Sequence, residues 1–149
     1  MRLPSLLPLL ALFTGEEARV ATARIVLEQL SHVSQLVEEG VQLQHIGVIA
    51  PYRRQVQKIR ERLGLKGWRE EVMVGTVEEF QGQERRVVIV TTVRSSTEYI
   101  VTDLQHKLGF LANPKRFNVA ITRARALLVV VGNPYILQQV GFRGLVGLQ

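Results

Sequence analysis

Val72-Met73-Val74-Gly75-Thr76-Val77-Glu78-Glu79-Phe80-Gln81-Gly82-Gln83-Glu84, followed closely by Val87-Val88-Ile89-Val90-Thr91-Thr92-Val93, is the stretch on which the fold turns. Two apolar runs flank a polar segment too short for an ordinary crossover helix with its loops. Apolar runs without polar alternation are those of strands buried on both faces. The segment between them, from Gly75 to Glu84, is then a loop held by two rigid strands, and binding groups concentrate in such loops.

The same alternation repeats outward from this stretch. Upstream, Thr14-Gly15-Glu16-Glu17 reads as a capping box, with Thr14 as N-cap and Glu17 at N3. It opens a helix to about Glu39, with Val20, Ala23, Leu27, Leu30 and Val37 as the core face and Gly40 at C′. Ile46 to Ala50 is a buried strand, stopped by Pro51-Tyr52-Arg53-Arg54-Gln55. The next helix turns Val56, Ile59 and Leu63 inward and Arg54, Lys58, Arg60 and Arg62 outward, and Gly64 and Gly67 end it. Downstream, Arg94-Ser95-Ser96 closes the long strand, and Thr97 to Gly109 is an aperiodic, mobile loop. Asn113-Pro114 sets an N-cap before a proline, opening a helix to about Arg125. Leu127 to Val131 is the last strand, and Asn133-Pro134 opens a short helix, Tyr135 to Val140. The expected fold is α/β: a mostly parallel sheet with helices on both faces. It occupies 14–140, between an irregular or first-strand segment at 1–13 and a tail at 141–149.

The chain's 149 residues suffice for one domain with a real core. A net charge of +6 favours a polyanionic partner, nucleic acid ahead of an acidic membrane surface. The absence of cysteine excludes a disulfide scaffold and thiolate metal sites. His32, His45 and His106 are scattered, without metal-ligand spacing, and they build no Ser-His-Asp or H-E-x-x-H arrangement. No G-x-x-x-x-G-K-[ST] occurs, so these residues form no P-loop. Met1 to Phe13 resembles the charged and apolar regions of a signal peptide. Two prolines interrupt it, no small-x-small cleavage site follows, and it is too short to span a bilayer.

In parallel sheets, ligands gather at the carboxyl ends of the strands. Pro51 to Gln55, Gly75-Thr76 and Arg94 to Ser96 fall there, offering donors for phosphates and the Tyr52 ring for a stacked base. Glu84 and Arg123 fall at the opposite edge, each just before a strand. On a helical wheel from Pro114 to Arg125, Phe117, Ala120, Ile121 and Ala124 form the core face. Arg116 and Arg123 flank it on one side; Lys115, Asn118, Thr122 and Arg125 lie on the other. Arg123 and Asn118 stand about 140° apart, which expects a helix with two polar edges, one for each ligand.

These residues carry a resemblance. Val77 to Glu84 resembles motif V of superfamily 1 helicases, and Arg116 to Arg125 resembles motif VI. Ile46 to Gln55 is similar to the strand and proline-tyrosine turn near motif IV. Val131-Gly132-Asn133-Pro134 resembles the strand end after motif VI. The spelling from Gly109 to Asn118 resembles Upframeshift-like RNA helicases of the Moloney-leukaemia-virus-10/Armitage branch. The resemblance covers roughly Thr14 to Pro134. It implies the second RecA-like domain of an ATP-driven RNA helicase, of the P-loop NTPase superfamily but without its own P-loop.

By that resemblance Arg123 is an arginine finger on the γ-phosphate and Glu84 faces the nucleotide, with Gln81 and Gly82 beside it. Pro51, Tyr52, Thr76, Val77, Arg94, Asn118 and Thr122 line a single-stranded RNA track. ATP with Mg²⁺ is held mainly by a first RecA-like domain outside this chain, so these residues alone are expected to be inactive. The implied partners are single-stranded RNA, that P-loop domain, and RNA-silencing or RNA-decay proteins, with no membrane; the implied location is the cytoplasm, in ribonucleoprotein granules. Relatives often carry an asparagine and an arginine before the Glu-Ala that starts the long helix. Thr14-Gly15-Glu16 stand there instead, so no second phosphate-binding arginine carries over. Two other readings stay open at this stage. One is a non-catalytic RNA-binding or regulatory module derived from such a helicase. The other is a secreted basic protein, suggested by Met1 to Phe13.

Overall fold

The computed structural model describes residues 18–91 and 113–131. Four strands form one sheet in the order β2-β1-β3-β4: β1 Ile46–Ile49, β2 Met73–Gly75, β3 Arg85–Thr91 and β4 Ala124–Val131. All three pairings are parallel, with Val48 opposite both Val74 and Ile89, and Ile89 opposite Val129. The expected parallel α/β fold is therefore present.

Parallel pairing requires a crossover between partners, and the crossovers cover both faces. On one face lie helix α1, Ala18–Glu38, and helix α2, Arg53–Leu65. Val26, Leu30 and Val33 of α1 and Val56, Ile59 and Leu63 of α2 pack there on Ile46, Val48, Val87, Ile89 and Val129. The opposite face takes Ile49, Val88 and Val90, the residues in between, as the two-residue period of a strand demands. Phe80, Val77 and the helix α3, Pro114–Ile121, cover that second face.

Helix ends follow the sequence closely where glycine sets them. Gly40 has φ 89; its amide donates to Val37 O and the next amide, of Val41, to Leu36 O. Gly67, at φ 73, repeats this pattern for α2, with Trp68 N donating to Leu63 O. Both are Schellman caps, in which the left-handed C′ residue lets orphan carbonyls find amides. Gly64, expected to help end α2, lies inside it. At α3, Asn113 Oδ1 accepts from Arg116 N at 3.2 Å, the N-cap that Asn-Pro announces.

Four expectations change. Leu27 is 54% exposed, and Val26, Val33 and Leu36 join the expected Leu30 in the core stripe of α1, with the expected Val37 packed against it. Arg60 is not simply solvated: its Nε donates to the carbonyl of Val74 at 3.0 Å, on β2, the edge strand among the described residues. A one-turn 3₁₀ segment, Leu43–His45, precedes β1. Helix α3 stops at Ile121 rather than Arg125, and β4 begins at Ala124. The capping box at Thr14, the loop from Thr97 to Gly109, Arg94 and the helix Tyr135 to Val140 lie outside the described residues.

Candidate functional site: two edges of one sheet

The segment Gly75 to Glu84 leaves β2 at the carboxyl edge of the sheet and enters β3 at the amino edge, so it crosses the whole sheet. Its anchor is Phe80, fully buried. A Cβ on Gly47 of β1 would lie 2.8 Å from Phe80 Cε1, so the ring occupies the space a side chain would need. Gly47 is a glycine because the segment passes there. Gly82, at φ 72, then turns the chain toward β3, a conformation glycine adopts without steric penalty.

At the carboxyl edge, Thr76 opens a single helical turn. Its amide donates to Glu79 Oε2 at 2.7 Å, while Phe80 N donates to Thr76 O. Thr76-x-x-Glu79 is a capping-box signature that sequence reading could have caught and did not. The Thr76 amide holds the Glu79 carboxyl below its ordinary range, burial opposes this, and the Arg60 guanidinium, 3.6 Å away, adds to it. Pro51 is buried and Tyr52, half-buried, is the N-cap of α2, with no side-chain cap bond of its own. The amide of Ala50 donates to Gly75 O, which sets the Pro51-Tyr52 turn beside Thr76. Thr76 and Val77 are themselves buried, so their accessible groups are few.

At the amino edge, the Arg85 amide donates to Arg123 O at 3.0 Å, and Arg85 is in register with Ala124. This places Glu84 and Arg123 at the starts of adjacent strands. Glu84 is exposed and its carboxylate lies 3.8 Å from Arg125 Nε. Arg123 is half-buried; its Nη2 donates to Thr122 Oγ1 at 3.4 Å, and its Nε is buried without a partner. Gln81 and Gly82 are exposed on the same segment.

The expected separation of edges along one helix does not hold. Thr122 and Arg123 lie beyond the helix end, and Thr122 shares the amino edge with Arg123 instead of facing away from it. Asn118 is exposed on α3, its carbonyl accepting from Thr122 N. Nor does Arg116 flank a nucleotide edge. It reaches Glu78, with Nε 2.8 Å from Oε1 and Nη2 donating to Oε2 at 3.2 Å. Burial pushes the Glu78 carboxyl up, but its own backbone amide and Arg116 outweigh that and hold it below its ordinary value. Glu78 and Glu79 were not among the expected site residues.

Among the described residues, no group of three or more His, Asp or Glu could hold a metal ion, and no helix is long and apolar enough to cross a membrane.

An all-parallel sheet with helices on both faces and polar groups at both strand ends defines a RecA-like α/β unit. The model of the AAA domain family matches residues 17–135, and the chain belongs to that family. It is 60% identical over 100 residues to the zebrafish (Danio rerio) protein named putative helicase mov-10-B.1, covering 62% of this chain and 10% of the relative. It is 49% identical over 117 residues to human RNA helicase Mov10l1, covering 78% and 10%, and 44% identical over 105 residues to the Drosophila melanogaster protein named probable RNA helicase armi, covering 68% and 8%. The resemblance to the Moloney-leukaemia-virus-10/Armitage branch is borne out, and the unit is helicase-related. The chain spans about a tenth of the length of these relatives.

Proposed function

We propose that this chain is the C-terminal motor half of an ATP-dependent RNA helicase. Its amino edge serves the nucleotide and its carboxyl edge carries part of a single-stranded RNA track. The observation that supports this best is the hydrogen bond from Arg85 N to Arg123 O, which sets Glu84 and Arg123 side by side at one end of the sheet. Tyr52 and Thr76 lie at the other end.

The amino edge fits a nucleotide held by a separate P-loop domain. Arg123, half-buried at the start of its strand, supplies a guanidinium whose positive charge can stabilise a phosphate oxygen as negative charge builds there. Glu84, with Gln81 and Gly82, borders the same edge. ATP with Mg²⁺, bound mainly by the P-loop domain, supplies the phosphoanhydride; Arg123 supplies positive charge and orientation. At the carboxyl edge Tyr52 offers a stacking face, and Arg53 and Arg54 supply positive charge for a backbone. Asn118 and Arg94 are assigned to the RNA track from the sequence pattern and the resemblance. Thr122, beside Arg123, is better placed for the nucleotide. The unit spans 14–140, works in the cytoplasm within ribonucleoprotein granules, and meets RNA-silencing or RNA-decay proteins.

The test supplies a P-loop domain from a similar helicase, fused or in trans. Without it the chain is expected to release no phosphate from ATP. With it, Arg123→Ala lowers the turnover number by roughly 10³–10⁵, the scale of an arginine finger. RNA affinity without nucleotide stays near the parent value. An Arg123→Ala variant that loses RNA binding and keeps its turnover refutes the assignment of edges.

A further inference from the structure

Helix α3 has eight residues, of which only Ala120 is fully buried. A helix this short is marginal by itself, and its orientation comes from its contacts. At its far end the chain passes through Thr122 to Arg123, whose backbone carbonyl accepts from the Arg85 amide of β3. At its near end, Arg116 grips Glu78 of the segment crossing the same face, at 2.8 Å and 3.2 Å. The segment that carries Glu78 also carries Glu84. The two pieces that deliver Glu84 and Arg123 to the amino edge are thus tied together by the sheet, by the apolar contacts of Val77 and Phe80 with Ala120, and by this pair.

Glu78 is itself held in place. It follows Thr76 in the turn locked by Glu79, and Glu79 faces Arg60 of α2. Phe80, two residues on, is fully buried against Gly47. The carboxylate of Glu78 is a fixed post, while α3 is the lightly packed partner.

We infer that Glu78 and Arg116 are positioning residues for Arg123: their ion pair sets the direction of α3 and so the place of the guanidinium that follows it. The inference rests on the nucleotide role proposed for Arg123. Glu78 also hydrogen-bonds the Thr76 side chain at the carboxyl edge, and the pair lies at the other end of α3 from Arg123. It is partly exposed, with side-chain exposures of 33% for Arg116 and 54% for Glu78. Exposed pairs contribute little to stability, so its consequence is geometric. A small misplacement of a charge aimed at a reacting group lowers turnover while leaving ground-state binding nearly intact.

The experiment uses the chain joined to a P-loop domain and compares Glu78→Gln, Arg116→Gln, the double variant, and the exchange Glu78→Arg with Arg116→Glu. Arg123→Ala is run beside them. Each glutamine variant is expected to lower the turnover number about 2- to 30-fold, the range for residues that act through a network. KM for ATP stays within about twofold, as for an interaction that matters only in the transition state. The double variant falls no further than the worse single one, since both remove one interaction. The exchange recovers at least half of the loss on a logarithmic scale. The melting temperature stays near the parent's throughout. Single variants with parental turnover, losses that multiply in the double variant, or a glutamine variant that no longer folds each overturn the inference. If Arg123→Ala itself leaves turnover intact, the nucleotide role of that edge has failed, and the positioning role falls with it. Loss in Arg123→Ala with parental turnover in the glutamine variants isolates failure of the positioning role alone.

Discussion

Replacing Gly47 by alanine tests how the Gly75 to Glu84 segment is seated. The added methyl carbon would lie 2.8 Å from Phe80 Cε1, 3.1 Å from Phe80 Cζ and 3.1 Å from Arg85 Cγ. Carbon atoms in contact prefer about 3.5–4.0 Å, so the ring must move by most of an ångström. Phe80 is fully buried, so its ring moves only by displacing its neighbours. Overpacking of this kind costs about 1–3 kcal/mol. Gly47 does not have positive φ, so alanine also recovers about 0.4–1 kcal/mol from the unfolded chain. The net expectation is a loss of up to about 2.6 kcal/mol from these two terms. It is read as a lower urea midpoint with an unchanged slope. Phe80→Leu shortens the ring tip, so the double variant Gly47→Ala with Phe80→Leu is expected to lose less than the sum of the singles. Strictly additive losses, or a Gly47→Ala protein more stable than the parent, would refute the reasoning that the ring fills the absent side chain's place.

Three further outcomes are expected. The carboxyls of Glu78 and Glu79 lie below their ordinary value of 4.5 in the folded chain. Their contribution to stability is therefore full above 4.5 and is lost as pH falls through the lowered folded values; Glu79→Gln should flatten this acid limb in urea titrations. Gly67, at φ 73 with open space around it, should lose about 1–2 kcal/mol as alanine from backbone strain alone, and less as asparagine, in thermal melts. Single-stranded RNA binding should fall steeply with salt, and Tyr52→Ala should weaken it by about 1–3 kcal/mol; equal affinity in low and high salt would remove the proposed track.

The sheet was legible because its strands are short, apolar and β-branched, and the two-residue period assigns Ile46 and Val48 to one face and Ile49 to the other. Glycine at C′ marked the ends of α1 and α2 for a local reason, the positive φ of the cap. The end of α3 was not legible. Ala124, Arg125 and Ala126 are good helix formers, and their pattern continues the wheel. Pairing of Arg85 with Ala124 overrides that propensity, and the Thr122 hydroxyl, donating to Val119 O at 3.0 Å, closes the helix. The amino edge itself was found correctly, because it follows from where strands start. Its companion residues were missed because Arg116 and Glu78 meet across 38 positions of sequence, which no local pattern reveals.

The strand order β2-β1-β3-β4 also bears on how the molecule comes into being. Among the described residues every pairing joins strands separated by a crossover, so none of these pairs can form early as a hairpin and recruit the rest. Chains dominated by such distant pairings fold slowly. As the polypeptide leaves the ribosome, β1 must wait for β2 and then for β3, and β3 remains open on one side until β4 arrives. During that interval the apolar run from Val87 to Val90, fully covered at the end, is a bare edge able to pair with another nascent chain. The arginines Arg85 and Arg86 at its start, carrying like charge, are then the only guard against that error that the strand itself provides.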